Sequence, residues 1–432
     1  MMQVAHELDL AQLSIEEAEF AKDPMPYVEA ARRRHPWLAK CGFGYVVHEY
    51  QAMKDLLSMD DKLTIATRTV VETMGATGTP WGRFMTEMMI AKTGEEHTRL
   101  RGSVAEAFTP RAVNGHRARM RSVVSRLLGE WAPKGAFDFA EFASWFPITV
   151  MCGVIGASPD VIPGLRKSLE MQGLSYSMDR TLLPAMEEAF EILWQFVDEL
   201  ILARKAANSG GSEDLLDALI AANTEGRLND YELRNLLIFL FAAGYDTSKN
   251  MLTLIMHVML QRPEQWKRCA EDLEYCSKVV EETLRYHSVS NLPRTVTQEF
   301  VYRDVLFPKD TFLFFMLTLA GRDPTAFPNP LVFDPERVHT NRHMAFGRGS
   351  HICLGMFLAR AQIEEGVHLI AQRIANPRLA GEVTWRPFPG VWGIKSLPVA
   401  FDPALQRPDI GKPSTSTGGQ AGGCPSSAAP GA

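Results

Sequence analysis

The chain has 432 residues, 46% of them hydrophobic and 22% charged, with a formal net charge of -6 at pH 7. That balance supports a sizeable folded core, excludes disorder over the whole length and gives no electrostatic ground for a nucleic-acid partner. No window of about 18 consecutive apolar residues occurs, and the opening MMQVAHELDLAQLS has neither a basic nor an apolar leader region. The sequence therefore predicts a soluble cytoplasmic protein without a membrane anchor.

Hydrophobic periodicity predicts helices over 97–108, 110–130, 139–156, 184–207, 230–262, 265–287 and 355–375. Short strands are expected at 43–47, 294–304, 311–316 and in the closing SLPVAF. The fold class is thus mainly α with small β-sheets, organised as a single domain over 1–408. From about 409 the chain turns rich in Gly, Ser, Pro and Ala, so 409–432 reads as a disordered tail carrying an exposed Cys424. The six cysteines lack CxxC spacing, which argues against a zinc ribbon or a redox pair.

Four segments carry chemistry. In EEHTRLR, His97 and Arg101 are i and i+4 on one helical face, and with Arg294 and His343 they would suit a buried dianion such as two carboxylates. The longest helix starts at an Asn229-x-x-Glu232 capping box and is expected to end at Arg262, before Pro263. Its centre, FLFAAGYDTSKN, interrupts an apolar run with Gly244, Asp246, Thr247 and Ser248. That is either a kink with a hydrogen-bonded Asp or an acid and alcohol pair delivering protons into a cavity opened by Ala243 and Gly244. In VVEETLRYHS, Glu282 and Arg285 share a helical face, and Arg337 could complete a charge network with them. Finally, HMAFGRGSHICLGMFLAR (343–360) sets Gly347, Gly349 and Gly355 around Cys353 just before a helix N-terminus, where a thiolate is favoured. Such a thiolate could be a nucleophile, a zinc ligand or an iron ligand.

Together and in this order, these segments resemble the cytochrome P-450 family of heme-thiolate monooxygenases, specifically its soluble bacterial branch. The matching motifs are AGYDTS (243–248), Glu282-x-x-Arg285, FDPERV (333–338) and Phe346-x-x-Gly349-x-x-x-Cys353-x-Gly355. EHTRLR (96–101), AGRDP (320–324) and GIKSLPVAF extend the likeness to roughly 20–402. The resemblance implies heme b (iron protoporphyrin IX) between the long central helix and the proximal Cys loop, with O2 as co-substrate. Cys353 would ligate the iron, Phe346 would pack beside it, and loop N–H groups, Gly347 and Gly355 included, would tune the sulfur. His97, Arg101, Arg294 and His343 would hold the propionates, and Ala243 and Gly244 would border the heme. Asp246 and Thr247 would supply protons, and Glu282, Arg285 and Arg337 would form a structural triad.

The expected reaction is hydroxylation of a hydrophobic small molecule, terpenoid, aromatic or steroid-like, by a monomer taking electrons from a ferredoxin and its reductase. By family position the substrate would meet residues 64–90 together with Leu240, Val289, Leu292, Val391 and Trp392; Arg68 or Arg83 could neutralise a substrate carboxylate, though solvent is the expected place for both. The electron donor would dock near Cys353, at Arg348, Arg360 and the basic residues of 111–126, unless these form only a solvated face. A cysteine hydrolase is disfavoured because His351 lies only two residues from Cys353 and points elsewhere on a regular element. A peroxygenase could dispense with the acid and alcohol pair, and a heme sensor would need an output domain that the sequence does not show.

Overall fold

The structure, a computed structural model, describes residues 3–207, 214–338 and 340–403; the tail from 409, with Cys424, lies outside them. Helices dominate, with small sheets attached. In chain order, the helices around the site are α1 (Thr67–Met74), α2 (Pro80–Glu87), α3 (Gly94–Gly102), α4 (Pro110–Trp131) and α5 (Ile162–Gln172). They are followed by α6 (Leu183–Ala206), α7 (Asp230–Met259), α8 (Pro263–Glu271), α9 (Leu273–Tyr286) and α10 (Met356–Arg373).

Helix α7 has 30 residues, so it runs through the molecule for about 45 Å at ~1.5 Å per residue. Its capping box forms as expected: Glu232 N–H donates to Asn229 Oδ1 at 2.9 Å and Asn229 N–H to Glu232 Oε2 at 2.9 Å. It stops three residues early. Leu260 caps it, and Pro263 instead opens α8, where a missing N–H costs nothing.

Three expected helices are each broken in two. The stretch 97–108 ends as an α-helix at Gly102 and resumes as a 3-10 turn over Ala105–Phe108. The stretch 139–156 divides at Ser144 into Phe139–Ala143 and Trp145–Ile155, because Pro147 cannot donate to the carbonyl four residues back. The stretch 265–287 divides at Asp272, whose carboxylate accepts from Glu274 N–H at 2.8 Å and Tyr275 N–H at 3.1 Å and so caps α9. Helices α1, α2 and α5 lie outside the sequence-based helix list.

Five strands form the largest sheet: β1 (Leu38–Cys41), β2 (Gly44–Val47), β3 (Leu63–Ile65), β4 (Leu292–Val296) and β5 (Phe312–Phe315), in the order β1-β2-β5-β4-β3. β2 runs parallel to β5 with Tyr45 opposite Leu313, and β3 antiparallel to β4 with Ile65 opposite Arg294. The expected strand 294–304 ends at Val296 and resumes at Phe300–Tyr302. A hairpin of β6 (Thr384–Trp385) and β7 (Ile394–Ser396) reaches back toward α7. One apolar core wraps α7, and a second, containing Trp37, Val47, Leu313 and Phe315, lies against the five-stranded sheet. Each fully buried large side chain in them contributes about 1.5–3 kcal/mol.

Candidate active site

The Cys353 loop is closed by its own backbone. Cys353 N–H donates to Phe346 O at 2.8 Å and Gly347 N–H to Met344 O at 2.9 Å. Gly347 and Gly349 take φ of 69° and 74°, and a Cβ on Gly349 would come 2.9 Å from Leu57 O, so both the turn and its seat against residues 57–60 require glycine there. Gly355 caps α10, and an added Cβ there would meet nothing within 4 Å. The Phe346 ring packs under the Arg360 guanidinium at 4.5 Å.

Cys353 keeps some accessible surface, yet lies deep enough that burial pushes its thiol pKa up, opposed by the Gly355 N–H and by the charges of Arg101 and Arg360. In the protein alone desolvation therefore outweighs the helix-end effect expected from the sequence. A bound metal cation would reverse that balance.

Beside this loop the fold gathers basic side chains. Arg101 on α3 donates to Ile352 O at 2.8 Å. His97, one turn earlier and buried, has its ring 4.3 Å from that of His351. Arg294 on β4 is 5% exposed, and its hydrogen bond goes to the neighbouring Pro293 O at 3.1 Å. Burial lowers the pKa of all four. His351 falls to about 4, with the charges of His97 and Arg294 adding to burial, and Arg294 falls to about 10. Asp60 is the carboxylate that partly offsets this for His97, Arg294 and His351. Buried cations short of anions are costly, so the cluster fits a ligand carrying carboxylates, as heme does.

His343 is engaged elsewhere: its Nε2 lies 3.2 Å from Glu281 Oε2, and Arg360 donates to Glu281 Oε1 at 2.6 Å. Sequence reasoning passed over His351. Its position inside the glycine-rich loop was the available signal, because an irregular loop does not obey the side-chain directions of a helix or strand.

On the far side of the loop, Glu282, Arg285 and Arg337 meet. Arg285 donates to both Glu282 oxygens, at 2.6 and 2.7 Å, with both side chains fully buried, and Arg337 Nε lies 3.5 Å from Glu282 Oε1. Arg285 also reaches the carbonyls of Gly321, Pro330 and Val332, and Arg337 those of Asn329 and Val332. The network thus fastens α9 to the irregular chain at 328–338. Of the basic residues around the proximal face, Arg117 and Arg121 are paired with Glu364 and Glu365, and Arg360 with Glu281, while Arg348 is exposed.

Along the mostly buried α7, Phe239, Ala243 and Thr247 form a strip, spaced four residues apart, that retains accessible surface. Thr247 Oγ1 donates to Ala243 O at 2.8 Å. Gly244 serves a different contact, since a Cβ there would stand 2.4 Å from Met151 Sδ.

Asp246 lies on the flank of the strip, 1% exposed, and receives Arg386 Nη1 at 2.5 Å and Asn250 Nδ2 at 3.1 Å on Oδ1. Its Oδ2 has no hydrogen-bond partner among the described residues. A Cβ on Gly173, at the end of α5, would fall 1.8 Å from that oxygen, so glycine is needed for the close approach. Arg386 comes from the β6–β7 hairpin, and nothing in the sequence pattern pointed to it.

Val391 N–H donates to Gly173 O at 3.0 Å, and Trp392 N–H to Val289 O at 2.8 Å. The hairpin therefore ties to the end of α5 and to the segment after α9. Leu292 and Val391 are partly exposed; Leu240 and Val289 are nearly buried. Trp392 is 0% exposed, stacks on Trp385 and donates to Ala21 O at 2.9 Å, which makes it a core residue. Residues of 64–90 line an open cleft of about 920 Å³, with Arg68 and Arg83 in its wall.

The family model "Cytochrome P450" matches residues 169–374. The chain is 34% identical over 403 residues to Luteothin monooxygenase of Streptomyces thioluteus, covering 92% of this chain and 97% of that protein. It is 28% identical to the Biotin biosynthesis cytochrome P450 of Bacillus subtilis, covering 89% and 98%. The crystal structure of P450BioI in complex with hexadec-9Z-enoic acid ligated acyl carrier protein superposes with a TM-score of 0.79 at 26% identity, over 89% of this chain and 100% of that one. Epothilone D-bound cytochrome P450epoK, at 21% identity, shares the fold with a TM-score of 0.82 over 91% and 99%. Among the described residues no helix is long and apolar enough to cross a membrane. This chain belongs to the cytochrome P450 family and is a heme-thiolate monooxygenase.

Proposed function

We propose that Cys353 is the thiolate ligand of heme b, that His97, Arg101, Arg294 and His351 hold its carboxylates, and that the chain hydroxylates a hydrophobic small molecule. Electrons come from a ferredoxin and its reductase. The observation that carries this reading is the set of four depressed basic groups beside the buried thiol, with Arg294 bonded only to a neutral carbonyl. Heme, when bound, supplies the O2 activation, and the thiolate donates electron density to it.

The remaining roles belong to side chains. The Gly355 N–H holds the sulfur in place. Thr247 offers a hydroxyl on the accessible strip and, by releasing Ala243 O, orients water there and passes a proton inward. Asp246 Oδ2 takes up a second proton from solvent and hands it on to restore the Thr247 hydroxyl, while Arg386 keeps the carboxylate in position. Glu282, Arg285 and Arg337 keep the loop's support rigid.

The relatives widen the substrate panel. Luteothin is named for one and a carrier-linked acyl chain is bound to another, so both belong beside terpenoids, aromatics and steroids. The purified ferric protein titrated with this panel should shift its Soret band with one class, naming the substrate to test for turnover. Cys353→Ser should lose the thiolate spectrum, and a retained one would sink the assignment.

A further inference from the structure

The cleft of about 920 Å³ on α1, α2, α6 and the start of α7 is not part of the chamber beside Thr247. Tyr231 in its wall and Thr247 are 16 positions apart on one helix, roughly 24 Å. Between them Asn235, Leu236, Leu237 and Ile238 are buried, so α7 is sealed there. Trp81, 0% exposed, lies in the cleft wall and donates to Gln172 Oε1 at 3.2 Å, closing it on the α5 side.

The cleft has the size and aromatic lining of a small-molecule site. The Trp194 ring stands 5.2 Å from that of Tyr231 and 5.7 Å from that of Phe190, tilted by 40° and 46°, so that three rings follow one another along the wall. Arg83 already occupies one face of Tyr231 at 4.0 Å and is paired with Glu87 at 3.0 Å. Glu72, Glu187 and Glu191 also line the cleft, which leaves three carboxylates against Arg68. Glu187 Oε1 is buried and has no hydrogen-bond partner among the described residues. A buried carboxylate oxygen lacking a donor, next to aromatic rings, is the arrangement that receives an N–H-bearing cation.

We propose that this cleft is a second binding site, separate from the heme chamber, for an aromatic organic cation such as an arylamidine or arylammonium compound. Its rings would lie along Phe190, Trp194 and Tyr231, and its charged head would donate to Glu187.

Biphenyl-4-carboxamidine and its neutral isostere biphenyl-4-carboxamide, titrated calorimetrically into the heme-loaded protein, test this. Amidines stay protonated and do not ligate iron, so the Soret band reports separately on the heme chamber. The expected result is one amidine per chain, bound at least tenfold tighter than the carboxamide, with no Soret change and no competition from imidazole. Glu187→Gln should weaken the amidine at least tenfold and erase the difference, with an unaltered Soret spectrum showing that the variant is folded. Trp194→Leu should weaken both ligands. Equal affinity for the two ligands, no amidine binding, undiminished binding to Glu187→Gln, or displacement by imidazole would each overturn the proposal.

Discussion

Two groups of basic side chains flank the Cys353 loop, and they differ in what surrounds them. In the Glu282–Arg285–Arg337 network every guanidinium is answered: Arg285 alone bonds two carboxylate oxygens and three carbonyls, within a fully buried pair. In the His97–Arg101–Arg294–His351 group, burial outweighs the one nearby carboxylate, Asp60, and the pKa of each basic group is lowered. The first arrangement is finished and holds structure together. The second is complete only with a partner. Residue type does not separate the two; the count of acceptors does.

Substitutions should separate the two groups by sign as well as size. Arg285→Ala leaves the buried Glu282 with only the single, longer contact to Arg337, and should cost about 3–5 kcal/mol, read as lost soluble yield and a lower urea midpoint of the heme-free protein. A smaller loss of under about 1 kcal/mol would show that the network is not finished after all.

His48 is a comparison: a buried imidazole away from the Cys353 loop. It is 2% exposed, and burial and the charge of Arg32 hold its imidazole at about 4, against about 6.5 in the unfolded chain. The unfolded state therefore binds the extra proton, so stability is complete above pH 6.5 and falls as pH drops toward 4, by up to about 3 kcal/mol. His48→Asn should flatten that part of the stability-against-pH curve while heme binding stays intact, because the arginine beside His48 is already offset by the Asp323 carboxylate.

Arg294→Met removes a buried charge that has no carboxylate partner. The heme-free protein should gain about 2 kcal/mol while heme retention falls at least tenfold, as judged by transfer to an apo-globin. Destabilisation of the heme-free protein would place Arg294 with the finished network instead. Thr247→Ala should leave stability within about 1 kcal/mol and heme content unchanged. It should lower product formed per electron severalfold, and unchanged coupling would remove its proposed role.

Much of this was legible in the sequence, and particular residues show where legibility ended. The capping box at Asn229, the paired Glu282 and Arg285, and the glycines around Cys353 are local signals, and the structure places them as the pattern implied. Periodicity could not see the breaks at Ser144 and Asp272, because both flanking helices keep their apolar stripes and only a cap or a distant proline marks the change. Arg386 meets Asp246 from 140 positions away, and His351 reaches His97 through a loop; neither contact has a periodic signature. Trp392 has the composition of a pocket residue and the environment of a core one, a difference set by Trp385, His287 and Phe388 around its ring and by the Ala21 carbonyl.

The five-stranded sheet also dictates a timetable. Its β2 strand pairs Tyr45 with Leu313, and β3 pairs Ile65 with Arg294, so the first strands to leave the ribosome wait for partners made more than 200 positions later. At ~5–20 residues per second that wait lasts roughly 10–50 s. Throughout it β2, paired only with β1 on its other side, and β3 expose unpaired edges, the period of greatest aggregation risk. Arg294 rides on β4, one of the late strands, and His351 follows it, whereas His97 and Arg101 are made early. The basic cluster is therefore among the last features to assemble, and cofactor uptake should follow chain release instead of guiding the nascent chain.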